Sequence, residues 1–347
     1  MRDSGRRQGD MAKQADQLQQ GEQAQPTTTQ NTWDAAQPTS QPSAALAAAE
    51  EALLATLPIP VERHEVSVNG TRLHYLTCGD PNGEPLLLLH GRGSAASLFA
   101  PILPQLAAQR RVIALDLPGW GLSDKPPFQG HTAQDALNVW MGGALGLLDA
   151  LGLDRVDMLG HSMGGFTALG LALDHPDRVN RLLLVDAGGL SRNAQFDVRL
   201  YFWLKPERFN RLFGPKFLRY ALRRDNPHGM GEMATSGPLF DLLYAVMSQT
   251  GVIPSGGRAF DAWVDIWGVH MTFLDRLKQL QAPTLLLWGE RDMIVRYSDA
   301  LVATRHMPHA RLVAFTGCGH SPFWERSDDF ARVALVWLNG GGAPSRV

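Results

Sequence analysis

The chain is poor in cysteine, in charge of one sign and in long apolar runs, and each shortage excludes a class of protein. Its two cysteines, Cys78 and Cys318, are too few for a disulfide framework in 347 residues and match no zinc or redox spacing, so a reducing compartment is expected. Basic and acidic residues number 32 and 34, a net charge of −2, far from the balance of a nucleic-acid binder. No run approaches the roughly 18 apolar residues that span a bilayer, and the first residues lack the apolar segment of a secretory signal, so a cytoplasmic location is expected. What remains is 44% hydrophobic and 19% charged, the composition of an ordinary globular protein long enough for one large α/β domain or two smaller ones.

Residues 1–42 carry ten glutamines, three consecutive threonines and few large apolar side chains. Such a stretch cannot bury enough surface to offset its ordering entropy and reads as a disordered tail, with Met11 as an alternative start. A targeting arm built on Arg2, Arg6 and Arg7 conflicts with the nearby Asp3, Asp10, Asp16 and Glu22. Residues 43–60 form a helical arm stopped by Pro58 and Pro60. Beyond residue 61, Asn69-Gly70 predicts a tight hairpin between strands at 66–68 and 73–77. Nearly continuous apolar runs at 86–89, 112–116, 156–160, 181–186, 284–288 and 311–315 read as strands buried on both faces of a parallel sheet. Helices are expected at 133–151, 163–174, 297–306 and 328–338. The interval 188–283 has helical but no strand-like segments, one with Leu239, Leu242, Leu243, Val246 and Met247 on a face, another with Phe260, Trp263, Val264 and Trp267. It reads as a helical cap inserted into an α/β core made of 61–187 and 284–347.

The segment Leu159-Gly160-His161-Ser162-Met163-Gly164-Gly165 carries GxSxG between a predicted strand and a predicted helix, the context in which it forces a serine onto a sharp turn. Serine is a poor nucleophile at its free pKa and needs a base oriented by an acid. His320, in the glycine-rich segment after the last strand, and Asp292, in Trp288-Gly289-Glu290-Arg291-Asp292 after the strand before it, supply both in the order Ser, Asp, His. Asp186, at the end of the strand preceding the cap, is the rival acid; the turn before a helix favours Asp292. Glu290 reads as a turn-stabilising or solvated residue. Oxyanion donors are expected from the backbone N–H of Met163 and of Arg92, in His90-Gly91-Arg92-Gly93-Ser94, with His90 shaping that loop through hydrogen bonds.

These segments, with Asp116-Leu117-Pro118-Gly119-Trp120-Gly121-Leu122-Ser123 and Gly319-His320-Ser321-Pro322-Phe323-Trp324-Glu325, resemble the α/β-hydrolase fold superfamily over residues 61–340. The resemblance implies a mostly parallel eight-stranded sheet, a helical cap after strand six, and hydrolysis without a metal or organic cofactor. Dehalogenases and epoxide hydrolases of this fold place aspartate where this chain has Ser162. Carbon–carbon bond hydrolases carry a Gly-Pro-Gly-rich oxyanion loop, from which Gly91-Arg92-Gly93-Ser94 departs. The leading expectation is therefore a serine esterase acting on a largely apolar small molecule, with carbon–carbon cleavage or acyl transfer as the alternative and a non-catalytic ligand binder as the reading from another class.

Two charged features stay open. The Arg92 side chain either pairs with a substrate carboxylate or points to solvent or a neighbouring acid. Residues 191–225 hold nine basic and three acidic side chains interleaved with eight aromatics, a net of +6. Either the aromatics face the pocket while cationic stems reach outward, or the surface attracts anionic lipid, an acidic partner or an acid substrate.

Overall fold

The computed structural model describes residues 43–192, 194–225, 237–249 and 252–347; the tail expected over residues 1–42 lies outside them. Eight strands form one sheet in the order β1-β2-β4-β3-β5-β6-β7-β8: β1 Glu62–Val68, β2 Thr71–Cys78, β3 Pro85–Leu89, β4 Arg111–Leu115, β5 Val156–His161, β6 Val179–Val185, β7 Thr284–Gly289 and β8 Ala310–Phe315. Strand β2 runs antiparallel to both of its neighbours, β1 and β4, and every other pairing is parallel. The β1–β2 turn is the expected one, with Asn69 at φ 49° and Gly70 at φ 78°.

The apolar runs are continuous because both faces of the sheet are covered. Leu87 and Leu89 of β3 join one core with Ile113, Leu184 and Leu286, while Leu86 and Leu88 join the other with Val112, Leu183 and Leu285. A Leu88→Ala cavity would cost about 2–5 kcal/mol. On the first face lie α3 (Ala133–Ala150), begun by a Thr132–Asp135 capping box, and α4 (Met163–Asp174). On the second lie α1 (Ala44–Leu54) and α12 (Ser327–Leu338), with the short α2 (Leu103–Ala107) between them in sequence. Helix α10 (Tyr297–Thr304) follows β7 and the single turn α11 (Pro322–Glu325) follows β8.

Between β6 and β7 the described chain is helical: α5 Phe196–Trp203, α6 Pro206–Phe213, α7 Pro215–Asp225, α8 Pro238–Ser248 and α9 Arg258–Trp263. All five residues of the expected α8 face are buried. The second face is shorter than expected. Phe260, Trp263 and Val264 are buried, but α9 ends at Trp263, and the Asp265 carboxylate takes the N–H groups of Trp267 (2.8 Å) and Gly268 (3.1 Å), turning Trp267 out to solvent. Helix α1 packs on α8, so the N-terminal arm braces the insertion. Among the described residues no helix is long and apolar enough to cross a membrane.

Parallel strands gather the loops after β3, β5, β6, β7 and β8 at their carboxyl edge. The chain leaves β3 toward β4 on one side and returns to β5 on the other, the switch point at which open α/β sheets bind ligands.

Candidate active site

Ser162 sits between β5 and α4 at φ 53°, ψ −114°, a backbone conformation rare for a residue with a side chain. The surroundings hold it there: its N–H donates to Val185 O (3.0 Å), and its carbonyl accepts from Phe166 N (3.1 Å) and Gly188 N (2.9 Å). The turn is tight enough that a Cβ on Gly164 would lie 2.0 Å from the Leu89 carbonyl oxygen, so position 164 admits only glycine. Strain fixed by neighbouring structure is a feature of functional turns.

The loops after β7 and β8 are welded together. Arg291 N–H donates to Cys318 O (2.8 Å), and a Cβ on Gly289 would fall 1.9 Å from Gly319 O. Across this junction Nδ1–H of His320 donates to Asp292 Oδ2 at 2.8 Å, while Asp292 Oδ1 accepts from Ile294 N (2.7 Å) and Val295 N (3.0 Å). Burial alone would lower the His320 pKa, but the Asp292 carboxylate, with Asp225 and Glu325 further off, outweighs it and the net shift is upward. His320 and Ser162 line the same pocket.

Two further histidines complete the geometry. His161 donates Nε2–H to the His320 carbonyl (2.8 Å), its ring centroid 4.9 Å from that of His320; burial, then the neighbouring His320, keeps it neutral by pushing its pKa well below the ordinary value. His90 donates Nδ1–H to Gly91 O (2.7 Å) and accepts from Leu117 N (3.0 Å), locking the loop that carries Arg92. That loop touches the Ser162 turn, since a Cβ on Gly91 would lie 3.1 Å from Ser162 Cβ.

Asp186 is buried at φ 43°, with Oδ1 accepting from Gly289 N (2.9 Å). Its carboxyl, that of Asp292 and the His320 ring offer atoms within 4.8 Å of one another. Burial, and then the charge of Asp292, drives the Asp186 pKa well above the carboxylate range. The rival acid is thus a neighbour of the one that holds the histidine, its charged form disfavoured by burial and by Asp292. Glu290, in the same turn, pairs with Arg346.

The pocket has two lobes that share Ser162, Arg92, Phe202 and Ile294. One, about 140 Å³, reaches His320, Tyr201, Leu218 and Met247; the other, about 60 Å³, is walled by Phe260, Trp263, Val264 and Gly188. Arg92 stands between them and does not point to solvent. Its guanidinium lies 4.9 Å from the Phe202 ring centre and 5.1 Å from that of Phe260, and Nη2 is 2.7 Å from Oε1 of Glu207 on α6. The contact lacks hydrogen-bond geometry. Arg92 Nε and Nη2, both Glu207 carboxylate oxygens and the Asn210 amide are buried without hydrogen-bond partners among the described residues.

Comparison with known proteins agrees with this architecture. Residues 84–327, more than half of the chain, match the family model described as alpha/beta hydrolase fold. The chain belongs to this family. It is 33% identical over 280 residues to a 2-hydroxy-6-oxononadienedioate/2-hydroxy-6-oxononatrienedioate hydrolase of Dechloromonas aromatica, covering 77% of this chain and 90% of the relative. It is 31% identical over 260 residues to a 2-hydroxymuconate semialdehyde hydrolase of Pseudomonas sp. strain CF600, covering 73% and 85%. Among solved structures, the carboxylesterase CesB of Bacillus subtilis superposes with a TM-score of 0.71 at 22% identity, over 86% of this hydrolase and 98% of that chain, a likeness of fold alone.

Proposed function

We propose that this hydrolase cleaves an ester or similarly activated acyl bond of a small, largely apolar molecule. In this reading Ser162 Oγ attacks the carbonyl carbon and His320 takes the hydroxyl proton. Asp292 holds the imidazole in the needed tautomer and stabilises its cation, and the N–H groups of Met163 and Arg92 receive the developing oxyanion. His320 returns the proton to the leaving group, and water, deprotonated by the same histidine, releases the acyl group. The 2.8 Å His320–Asp292 bond beside the strained Ser162 turn carries the proposal. Ser162→Ala should abolish both fluorophosphonate labelling and p-nitrophenyl ester turnover; persistent labelling at another serine would refute the assignment.

A second reading is carbon–carbon cleavage of a dienoate diketone, favoured by the relatives whose names specify dienedioate substrates. Those substrates bear carboxylates. In this chain the one Lys or Arg side chain among the described pocket-lining residues, Arg92, already faces Glu207, which favours an uncharged acyl group. Supplying p-nitrophenyl esters and a dienedioate in parallel, with Ser162→Ala as control, separates the two by which substrate is consumed.

A further inference from the structure

The outer side of the helical insertion has a character that the pocket does not explain. Helices α6 and α7 meet at Gly214 (φ 65°), and the residues around this corner face solvent: Leu212 is 75% exposed, Phe213 56% and Tyr220 65%. The corner is nonetheless built. Phe209 stacks on Phe213 at 5.8 Å and on Phe217 at 5.3 Å, an aromatic ladder that joins the two helices and fixes the direction of the exposed tip. Large apolar side chains gathered outside a folded protein mark a contact surface. Trp203 and Leu204, at the end of α5, are exposed as well.

The exposed charge of this stretch is mostly positive. Among the described residues of 191–225, the exposed ionised side chains are Arg192, Arg208, Lys216 and Arg223 against Asp197 alone, in a chain whose total is −2. Helix α7 is divided lengthwise. Leu218 and Ala221 are buried and line the larger lobe of the pocket, while Lys216, Tyr220 and Arg223 face outward. Helices with an aromatic edge rimmed by Lys and Arg lie in the headgroup region of anionic membranes.

We propose that the α6–α7 corner docks on an anionic lipid bilayer, with Leu212 and Phe213 entering the interface and Arg208, Lys216 and Arg223 against the headgroups. A second copy of the chain fits poorly, because a two-fold contact through this face would set one cationic rim against the other. Docking would place the wall of the larger lobe next to a reservoir of apolar molecules.

The test is co-sedimentation of the full chain with phosphatidylcholine vesicles, with and without one third phosphatidylglycerol, at low and high salt. Binding should require the anionic lipid and weaken with salt. The Leu212→Ser/Phe213→Ser double variant should bind at least about tenfold less tightly and Lys216→Glu about fivefold less, both with unaltered turnover of a soluble ester. Ser162→Ala should bind as the wild type does, which keeps the outcome independent of the bond that is cleaved. Active protein that ignores anionic vesicles at low salt, or binds them equally in all variants, would overturn the proposal. So would a concentration-dependent dimer, abolished by the double variant, in the absence of vesicle binding.

Discussion

Two clusters among the described residues contain the same three groups, two carboxyls and one histidine, and face different surroundings. In Asp186, Asp292 and His320 the histidine commits Nδ1 to a carboxylate and lines the pocket beside Ser162. In Glu50, His74 and Asp116 it is bonded through Nδ1 to Asp116 Oδ2 at 2.9 Å, while Nε2 lies 3.3 Å from Glu50 Oε2 without hydrogen-bond geometry, deep in the protein. Asp116 accepts in addition from Ala96 N (2.5 Å) and Leu122 N (2.6 Å), and Ser97 Oγ donates to Glu50 (2.9 Å). The second cluster thus ties α1, β2 and the loops after β3 and β4 into one unit. Residue type does not separate a reactive histidine from a structural one; an edge left facing a cavity does.

Removing each histidine should break the molecule in different ways. His320→Gln should lower kcat/KM by about 10⁴-fold or more while leaving the urea midpoint near that of the wild type. His74→Ala leaves Asp116 buried without the ring that hydrogen-bonds it and should cost about 3–5 kcal/mol of unfolding free energy, with kcat/KM of the folded fraction within a few-fold of wild type. Equal catalytic losses would erase the distinction between the clusters.

Within the active-site cluster the two carboxyls differ in their partners: Asp292 accepts from His320, and Asp186 accepts from the Gly289 N–H. Asp292→Asn should reduce kcat by about 10⁴-fold, because the amide cannot stabilise the imidazolium or select its tautomer. Asp186→Asn should cost less than about tenfold, since a protonated carboxyl and an amide are alike in size and charge and both accept the Gly289 N–H. Comparable losses would mean that Asp186 carries the negative charge. The same contrast sets the pH dependence. In the proposed mechanism His320 must be neutral to act as the base, and its pKa is raised, so kcat/KM should climb with pH through a midpoint above the histidine value of 6.5. A rate profile across neutral pH that is flat, or centred below that value, would exclude His320 as the base.

The parts of the site legible in the sequence are those whose meaning is local. Ser162, Asp292 and His320 each follow a strand within a short glycine-bearing segment, and order along the chain assigns them. The sheet was legible because burial on both faces leaves unbroken apolar runs. Partners distant in sequence were not legible. Glu50, His74 and Asp116 are separated by 24 and 42 positions, and no local pattern joins them. Arg92 was legible as a group beside the nucleophile, but Glu207, which lies 115 positions away on α6, was not legible as the acid facing it. His161 sits inside the motif itself, and its hold on the His320 carbonyl follows only once β5 and β8 are known to bring their ends together. Trp267 was misassigned because periodicity has no knowledge of where a side chain such as Asp265 ends a helix.

The smallest expected effect is a slope in stability with pH. Burial, and then the charge of Asp116, raises the Glu50 carboxyl from 4.5 to about 7. Below pH 4.5 folded and unfolded chains both hold this proton and its contribution is complete. Between 4.5 and about 7 the unfolded chain has released the proton that the folded chain keeps, so stability falls as pH rises, and the loss levels off once the folded carboxyl ionises. The raised pKa of His74 acts in the same direction from 6.5 upward, whereas the lowered pKa of Asp116 matters only below 3.8. Glu50→Gln removes the first of these, together with the part of the His74 shift that the Glu50 charge supplies, so the wild type's stability relative to the variant should shrink between about pH 5 and pH 7 in paired urea titrations. A difference that stays constant or grows with pH would show that Glu50 is already ionised inside the fold and that the clamp on His74 is a full ion pair from both sides.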